Sequence, residues 1–428
     1  MDNKKVIFVP SCEGLAHAGR MLVVAKVLRD KFKGVIEFAG DGKYGNLFPE
    51  AGFPFHEIGD SKSVRILSLD HKRFLFDRKW TVSQCISLAK EILSSYQNLI
   101  KMELDLFRNL KPDLIIWDGR LSVPISAEVS GIPSISFVHS WLTPFSKISY
   151  GFPKTHPLLI KFPWLNFLGK LPVRLQNPLA QYFWRVQRYF FLKLYNKLRG
   201  TFDLAPLKSY SELFKKLPLV LLPDLAAMSP SLDHPKNFHY VGPLGWEPDV
   251  ALPESLKNRH DLIYICMGST GSPEIFEPLM EAFSGMPELE FIFATGDVVD
   301  PRQLKPLSSN LSVYKYLPGL ELAKRSRLFI CHGGLGTIYQ ALSQGVPIIG
   351  IPFILSQEIA GIDQVVALGA GMKLILSELN PEKIKQAVKE VLAGEHYSRQ
   401  AKKISTQFSL DEGPMRSAEI ILDQLSRL

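Results

Sequence analysis

Residues 329–352, FICHGGLGTIYQALSQGVPIIGIP, bring a histidine, glycines and a threonine to one strand-to-helix junction. The apolar run ends at Cys331. His332, Gly333, Gly334, Gly336 and Thr337 follow, and a helical pattern starts. Glycine allows a ligand close to the backbone. The free N–H groups and the dipole of a helix start favour an anion. His332 and the Thr337 hydroxyl add donors, so the junction reads as a cradle for a diphosphate. A second turn, Met267 to Ser272, also follows a strand-like run. It could offer Gly268, Ser269 and Thr270 to phosphate, and it reads equally as an ordinary strand-to-helix turn.

A third junction leads from the first strand-like run into Ser11-Cys12-Glu13-Gly14-Leu15-Ala16-His17-Ala18-Gly19-Arg20. It presents His17 at the start of a helix. An alcohol is a weak nucleophile at neutral pH. An imidazole with a pKa near ~6.5 can take its proton as a new bond forms. His17 therefore reads as a general base, or as a capping or anion-contacting residue that moves no proton. His139 follows another strand end and reads as a wall of an acceptor pocket or as a structural residue.

The elements that must hold these residues alternate. KVIFVP (5–10), VIEFAG (35–40), DLIIWD (113–118), SISFVHS (134–140) and LVLLPD (219–224) are strand-like, with helical patterns such as 20–30 and 82–110 between them. Such alternation implies a parallel sheet with crossover helices. The stretch 226–258 is rich in Pro, Asp, Ser and Gly and reads as a linker. The pattern then restarts with LIYICMGS (262–269), LEFIFATG (289–296), LSVYKYLP (311–318), RLFICHGG (327–334) and PIIGIP (347–352). Ligands of such sheets bind at the carboxyl ends of the strands, and every junction above lies just there.

Bulk properties agree. The 428 residues are 46% hydrophobic and 21% charged, enough for two cores, since single cores stop growing near ~250–300 residues. No apolar run reaches the ~20 residues of a spanning helix. The opening MDNKKVIFVP is too short for a signal peptide and reads as a buried strand. The expectation is a cytoplasmic protein. The four cysteines lack CxxC spacing and read as buried thiols. No D-x-D motif or His/Asp/Glu cluster suggests a metal. The formal charge is +8, and 129–202 contain no Asp or Glu. That stretch mixes Lys and Arg with Trp141, Phe152, Trp164, Phe167, Tyr182, Trp184, Tyr189 and Phe190. Aromatic faces with a basic rim suit peripheral contact with anionic lipid through 140–200, as well as two apolar-cored helices with a solvated face. No nucleic-acid motif accompanies the charge.

The second half resembles the donor-binding signature of the UDP-glycosyltransferase family of plant, macrolide-type and sterol enzymes. Tyr316-Leu317-Pro318, His332 to Thr337, Ala341-Leu342, Gly345-Val346-Pro347 and Pro352 carry the resemblance. It implies a GT-B fold, α/β, with two doubly wound Rossmann-like domains facing a central cleft. The expected division is 1–225 for the acceptor domain, 226–258 for the linker and 259–408 for the nucleotide-sugar domain. A last helix in 409–428 would pack back on the first domain. The family's donor contacts fall on His332, Gly333, Gly334, Gly336 and Thr337 for phosphate and on Tyr316 and Leu317 for the base. Three positions depart from the family. Gly319 stands for a Gln. Gln340 stands for the Glu that holds the ribose. Ser356-Gln357-Glu358 stand where an Asp-Gln pair reads the sugar. Counting forward from Pro352 puts the family Gln on Gln357; counting back from Gly369 puts it on Glu358.

The loop around His17 resembles the G-H-x-x-R type loop of the same superfamily, with Ala16 replacing a glycine. The resemblance implies that His17 is the base and Asp118 its carboxylate partner, with Asp113 on the surface. It assigns His139 and Trp141 to the acceptor pocket. The implied reaction is metal-independent, inverting transfer from a UDP-sugar, used as co-substrate with no cofactor, to a hydroxyl of an apolar acceptor such as a lipid, sterol or carotenoid. A UDP-sugar epimerase of similar fold and a non-catalytic sugar-nucleotide-binding protein are the alternatives.

Overall fold

In the computed structural model, the residues described are 4–59, 82–148, 151–153, 155, 159, 162–268, 273–296, 298–304 and 307–428. Two parallel sheets organise them. The first has the order β3-β2-β1-β4-β5-β6-β7, with β1 Lys5–Pro10, β2 Val35–Gly40, β3 Phe55–Glu57, β4 Leu114–Asp118, β5 Ser134–Phe137, β6 Leu219–Leu222 and β7 Phe238–Tyr240. The helices around it are α1 (Leu15–Lys31), α2 (Val82–Leu110), α3 (Val123–Ser130) and α4 (Val173–Gly200).

The central strands are apolar on both faces because helices cover both. Val6 and Phe8 point into one cluster with Phe38, Leu114 and Ile116. Ile7 and Val9 point into the other with Ile115 and Trp117. α2 has no glycine or proline in its length, and Tyr96, Ile100, Leu104 and Phe107 recur at helical spacing toward that second cluster. α3 stops at Gly131, whose φ of +67° closes the helix in a left-handed cap.

The second sheet has the order β10-β9-β8-β11-β12-β13. Its strands are β8 Leu262–Cys266, β9 Phe291–Ala294, β10 Leu311–Tyr314, β11 Ser326–Cys331, β12 Ile348–Gly350 and β13 Gly371–Lys373. Helices α5 (Phe276–Ser284), α6 (Leu335–Ser343), α7 (Pro381–Ala393) and α8 (Glu395–Ser405) flank it. The last helix, α9 (Glu412–Ser426), leaves this half. Its Ala418, Ile421 and Leu425 enter the first-sheet cluster beside Met21 and Leu28 of α1.

Three strands escape the sequence reading. β3 and β13 are three residues each. β7 lies inside the stretch read as linker and pairs with β6 through Val220–Phe238 and Leu222–Tyr240. The first sheet therefore continues one strand beyond LVLLPD. Among the described residues no helix is long and apolar enough to cross a membrane.

Both sheets reverse their winding at one place. In the first sheet the chain steps outward in opposite directions from β1 and β4. In the second it does so from β8 and β11. Such a switch point opens a crevice at the carboxyl ends of its two strands. His17 and Asp118 lie at the first, Gly268 and His332 at the second.

Ile421 is fully buried between α9 and the first half. Ile421→Ala should cost about 2–5 kcal/mol, read as a lowered urea midpoint.

Candidate active site

Asp118 ends β4 in register with Pro10 at the end of β1. Its carboxylate is 2% exposed. His17, on the first turn of α1, places Nδ1 2.7 Å from Asp118 Oδ1. Arg20, one turn further, places Nε and Nη2 at 2.9 and 2.7 Å from Oδ2. Burial by itself raises the Asp118 pKa; the Arg20 charge and the hydrogen bond from His17, with His139 nearby, outweigh it and hold the group down to about 2. Asp118 is thus an ionised acceptor, and the Nδ1 that faces it carries the proton. That leaves the His17 Nε2 lone pair without a protein partner among the described residues. Gly14 and Gly119 flank the ring. A Cβ on either would come within 2.8 or 2.6 Å of it.

Arg20 and Asp224 were not picked out as site residues from sequence. Arg20 Nη1 donates to His139 Nε2 at 2.9 Å, and His139 Nδ1 then donates to Asp224 Oδ1 at 2.6 Å. Asp224 also accepts from the Ser140 amide at 2.6 Å. Both ring nitrogens of His139, assigned above to the acceptor wall, are occupied inside the protein. Only its ring carbons can meet a ligand. Asp224 follows β6 and could have been found by the strand-end rule that pointed to Asp118; Arg20 had its place in the loop motif.

Across the cleft, His332 follows β11 and Gly333 turns the chain at φ +95°. Gly334 caps α6 with no side-chain bond, so its helix start is open. The His332 ring packs on Gly268 and Gly334. A Cβ at those positions would come within 2.4 and 2.6 Å of it. Burial lowers the His332 pKa to about 4, opposed weakly by the Cys266 backbone. Its Nδ1 is buried without a completed hydrogen bond. The imidazole is neutral at pH 7.

One cavity of about 380 Å³ joins these parts. His17, Arg20, His139 and Trp141 line it from the first half. Gly268, Tyr316, Leu317, His332 to Thr337, Gln340 and Gln357 line it from the second. The cavity therefore brings together most of the residues read from sequence. Ser269 and Thr270 lie outside the described residues. Glu358 is turned away: it accepts from Thr155 and from Lys373 Nζ at 2.8 Å and is 3% exposed. Gln357 faces the cleft while its Oε1 accepts from the Phe353 amide at 2.9 Å. Gln340 donates to the Trp246 carbonyl at 3.1 Å.

Two shifted groups of the site contribute to how stability follows pH. An unfolded histidine takes its proton near 6.5, and His332 stays neutral down to about 4. Its contribution is whole above 6.5 and is lost as pH falls toward 4. Asp118 adds a loss between 3.8 and about 2. Thermal unfolding of the wild type and His332→Gln across pH 4–7 should show a shallower decline in the variant.

Comparison with known proteins agrees with this geometry. The family model described as UDP-glucoronosyl and UDP-glucosyl transferase matches residues 174–416. A PGL/p-HBAD biosynthesis glycosyltransferase of Mycobacterium tuberculosis (strain ATCC 25177 / H37Ra) is 29% identical over 95% of this chain and 89% of its own length. A PGL/p-HBAD biosynthesis rhamnosyltransferase of Mycobacterium bovis (strain BCG / Pasteur 1173P2) is 28% identical over 95% and 85%. Among solved structures, CalG4, the calicheamicin glycosyltransferase, superposes with a TM-score of 0.73 at 17% identity, covering both chains entirely, and shares the GT-B fold. The family model matches more than half of the length, and the chain belongs to the UDP-glucoronosyl and UDP-glucosyl transferase family as a glycosyltransferase.

Proposed function

We propose that this glycosyltransferase moves a sugar from a UDP-sugar, or another nucleoside diphosphate sugar, to a hydroxyl of an apolar acceptor, with inversion and without a metal. The observation that carries the reading is the His17 Nε2 lone pair. His17 lines the cleft that also holds the bare helix start at Gly334, and its ring is oriented by an ionised Asp118. The α6 N–H groups and Thr337 would hold the donor diphosphate. Charge that develops on the leaving phosphate would fall on that helix start. His17 Nε2 would take the acceptor proton while Asp118 steadies the imidazolium. Attack opposite the leaving group inverts the anomeric carbon. Tyr316 and Leu317 would frame the base, and Gln340 and Gln357 the ribose and sugar.

A membrane supplies such acceptors, and the surface of α4 supports contact with one. Tyr182, Tyr189 and Phe190 stand exposed on it, with Trp164 and Phe167 just before it. Arg185, Lys193 and Lys197 flank them, and no carboxylate interrupts the helix. This combination fits the headgroup region of an anionic bilayer.

His17→Ala and Asp118→Asn should each lower kcat/KM by roughly 100- to 10,000-fold while UDP or dTDP still raises the melting temperature, with or without EDTA. Activity retained in His17→Ala would remove the base from the reading. Cosedimentation with phosphatidylglycerol vesicles should be lost in Tyr189→Ser/Phe190→Ser and weakened by salt. Binding to vesicles that survives both changes would place lipid contact elsewhere.

A further inference from the structure

His17 lines two cavities. One is the interdomain cleft. The other, of about 290 Å³, lies within the first half. The loops after β1, β2 and β4 close it together with α2. Its polar lining is Ser11, Glu13, Asp41, Tyr96, Arg120 and Ser122, and its apolar lining is Leu99 and Leu121.

The charges in this lining are already matched in a way that selects a ligand. Arg120 is 5% exposed and donates to Glu103 from Nε and to Asp41 from Nη1, both at 2.7 Å. Glu103 is fully buried and also accepts from Ser122 and Ser126, each at 2.6 Å. The single guanidinium is therefore engaged by two carboxylates, and Glu13 adds a third at the rim. An anionic ligand finds no free cation in this lining among the described residues. An apolar ligand would strip water from these groups without replacing it, which costs free energy for every group left unpaired.

Two groups call for a ligand with hydroxyls. Asp41 is 8% exposed, and its only side-chain partner among the described residues is Arg120, through Oδ1. Oδ2 can accept further hydrogen bonds. The Tyr96 hydroxyl has no hydrogen-bond partner among the described residues, and burial pushes its pKa up to about 12. It is a neutral phenol, both donor and acceptor. The volume lies at the small end of ligand pockets, roughly 300–1,000 Å³. It suits one ring rather than a polycycle or a chain.

We infer that this cavity takes the reacting end of the acceptor and that this end is a neutral sugar unit. The enzyme then extends an existing glycoside, whose apolar remainder lies outside the cavity. The inference rests on His17 as the base. The acceptor hydroxyl gives its proton to His17 Nε2. Its oxygen forms the bond to the donor's anomeric carbon, and the bond from that carbon to phosphate breaks, with the electron pair leaving on the nucleoside diphosphate.

The test separates acceptor binding from turnover. Phenyl glucoside, galactoside, mannoside and rhamnoside are titrated calorimetrically into the whole protein with UDP present, against phenol. At least one glycoside should bind ten-fold or more tightly than phenol. Tyr96→Phe, which leaves the Arg120 ion pairs intact, should weaken it about 3- to 10-fold, the value of one hydrogen bond. Asp41→Asn should weaken it further, with UDP affinity unchanged in both. Phenol binding as tightly as every glycoside, or glycoside affinity unmoved by both variants, overturns the inference. His17→Ala should keep glycoside binding and lose turnover. Turnover retained in that variant would sink the base assignment while leaving the sugar site standing.

Discussion

A full negative charge buried at the end of a β-strand is the condition around which the first half of the cleft is arranged. Asp118 is 2% exposed, and removing a carboxylate from water costs several kcal/mol unless partners restore what hydration gave. Arg20 and His17 are those partners. They sit three residues apart, so one turn of α1 presents both to the same carboxylate. Arg20 brings a charge that must itself be spread, and its third nitrogen reaches His139, which leans on Asp224. The network links the ends of β4, β5 and β6 to the start of α1. Its outermost group with a free lone pair is His17 Nε2. His17 is thus the place where the compensation of a buried charge reaches the cleft.

The two halves meet through residues that do no chemistry. Trp246 packs on Gly19 of α1, where a Cβ would lie 2.6 Å from the indole. The Trp246 carbonyl accepts from Gln340 on α6. Beside it, Glu247 accepts from the Leu320 amide at 2.8 Å. The stretch read as linker therefore touches the His17 helix on one side and the His332 helix on the other. With α9 returning to α1, the chain crosses between halves more than once. The separation between His17 and the α6 helix start is held by these crossings rather than by either sheet alone.

What could be read in advance follows from where the information is local. A strand apolar on both faces, followed by Gly, His and Thr, carries its meaning within ten residues, so both switch points were legible. The central strands were found for the same reason. β3, β7 and β13 were not: each has three residues, and none lies in an apolar run such as the PIIGIP that carries the equally short β12. Gly371 makes the point: its strand lies so close to β12 that a Cβ would sit 1.9 Å from the Ile348 carbonyl. That is a constraint of pairing, invisible in a window of sequence. His139 was legible as a residue at a strand end. That both of its nitrogens are taken depends on Arg20 and Asp224, which lie 119 and 85 positions away. The second cavity lined by His17 is built from four separate segments and has no motif at all.

The departures from the family pattern are a case where geometry decides between readings that counting leaves equal. Gln357 and Glu358 were equivalent candidates by count. Glu358 is engaged by Thr155 and by Lys373, whose ammonium also holds Asp363 at 2.6 Å. A carboxylate committed to a lysine in a closed contact is not free to read sugar hydroxyls, whereas Gln357 lines the cleft. The other two departures touch each other. A Cβ on Gly319 would fall 2.5 Å from Gln340 Oε1, so a side chain at 319 and the present position of the Gln340 amide exclude one another. The two substitutions form a single rearrangement. Gln340 occupies the space that a larger residue at 319 would fill, and its amide donates to Trp246, which a carboxylate at 340 could not do. A neutral amide that ties the donor side of the cleft to the linker has replaced a charge. The residue that lines the cleft at this point is also one that joins the two halves.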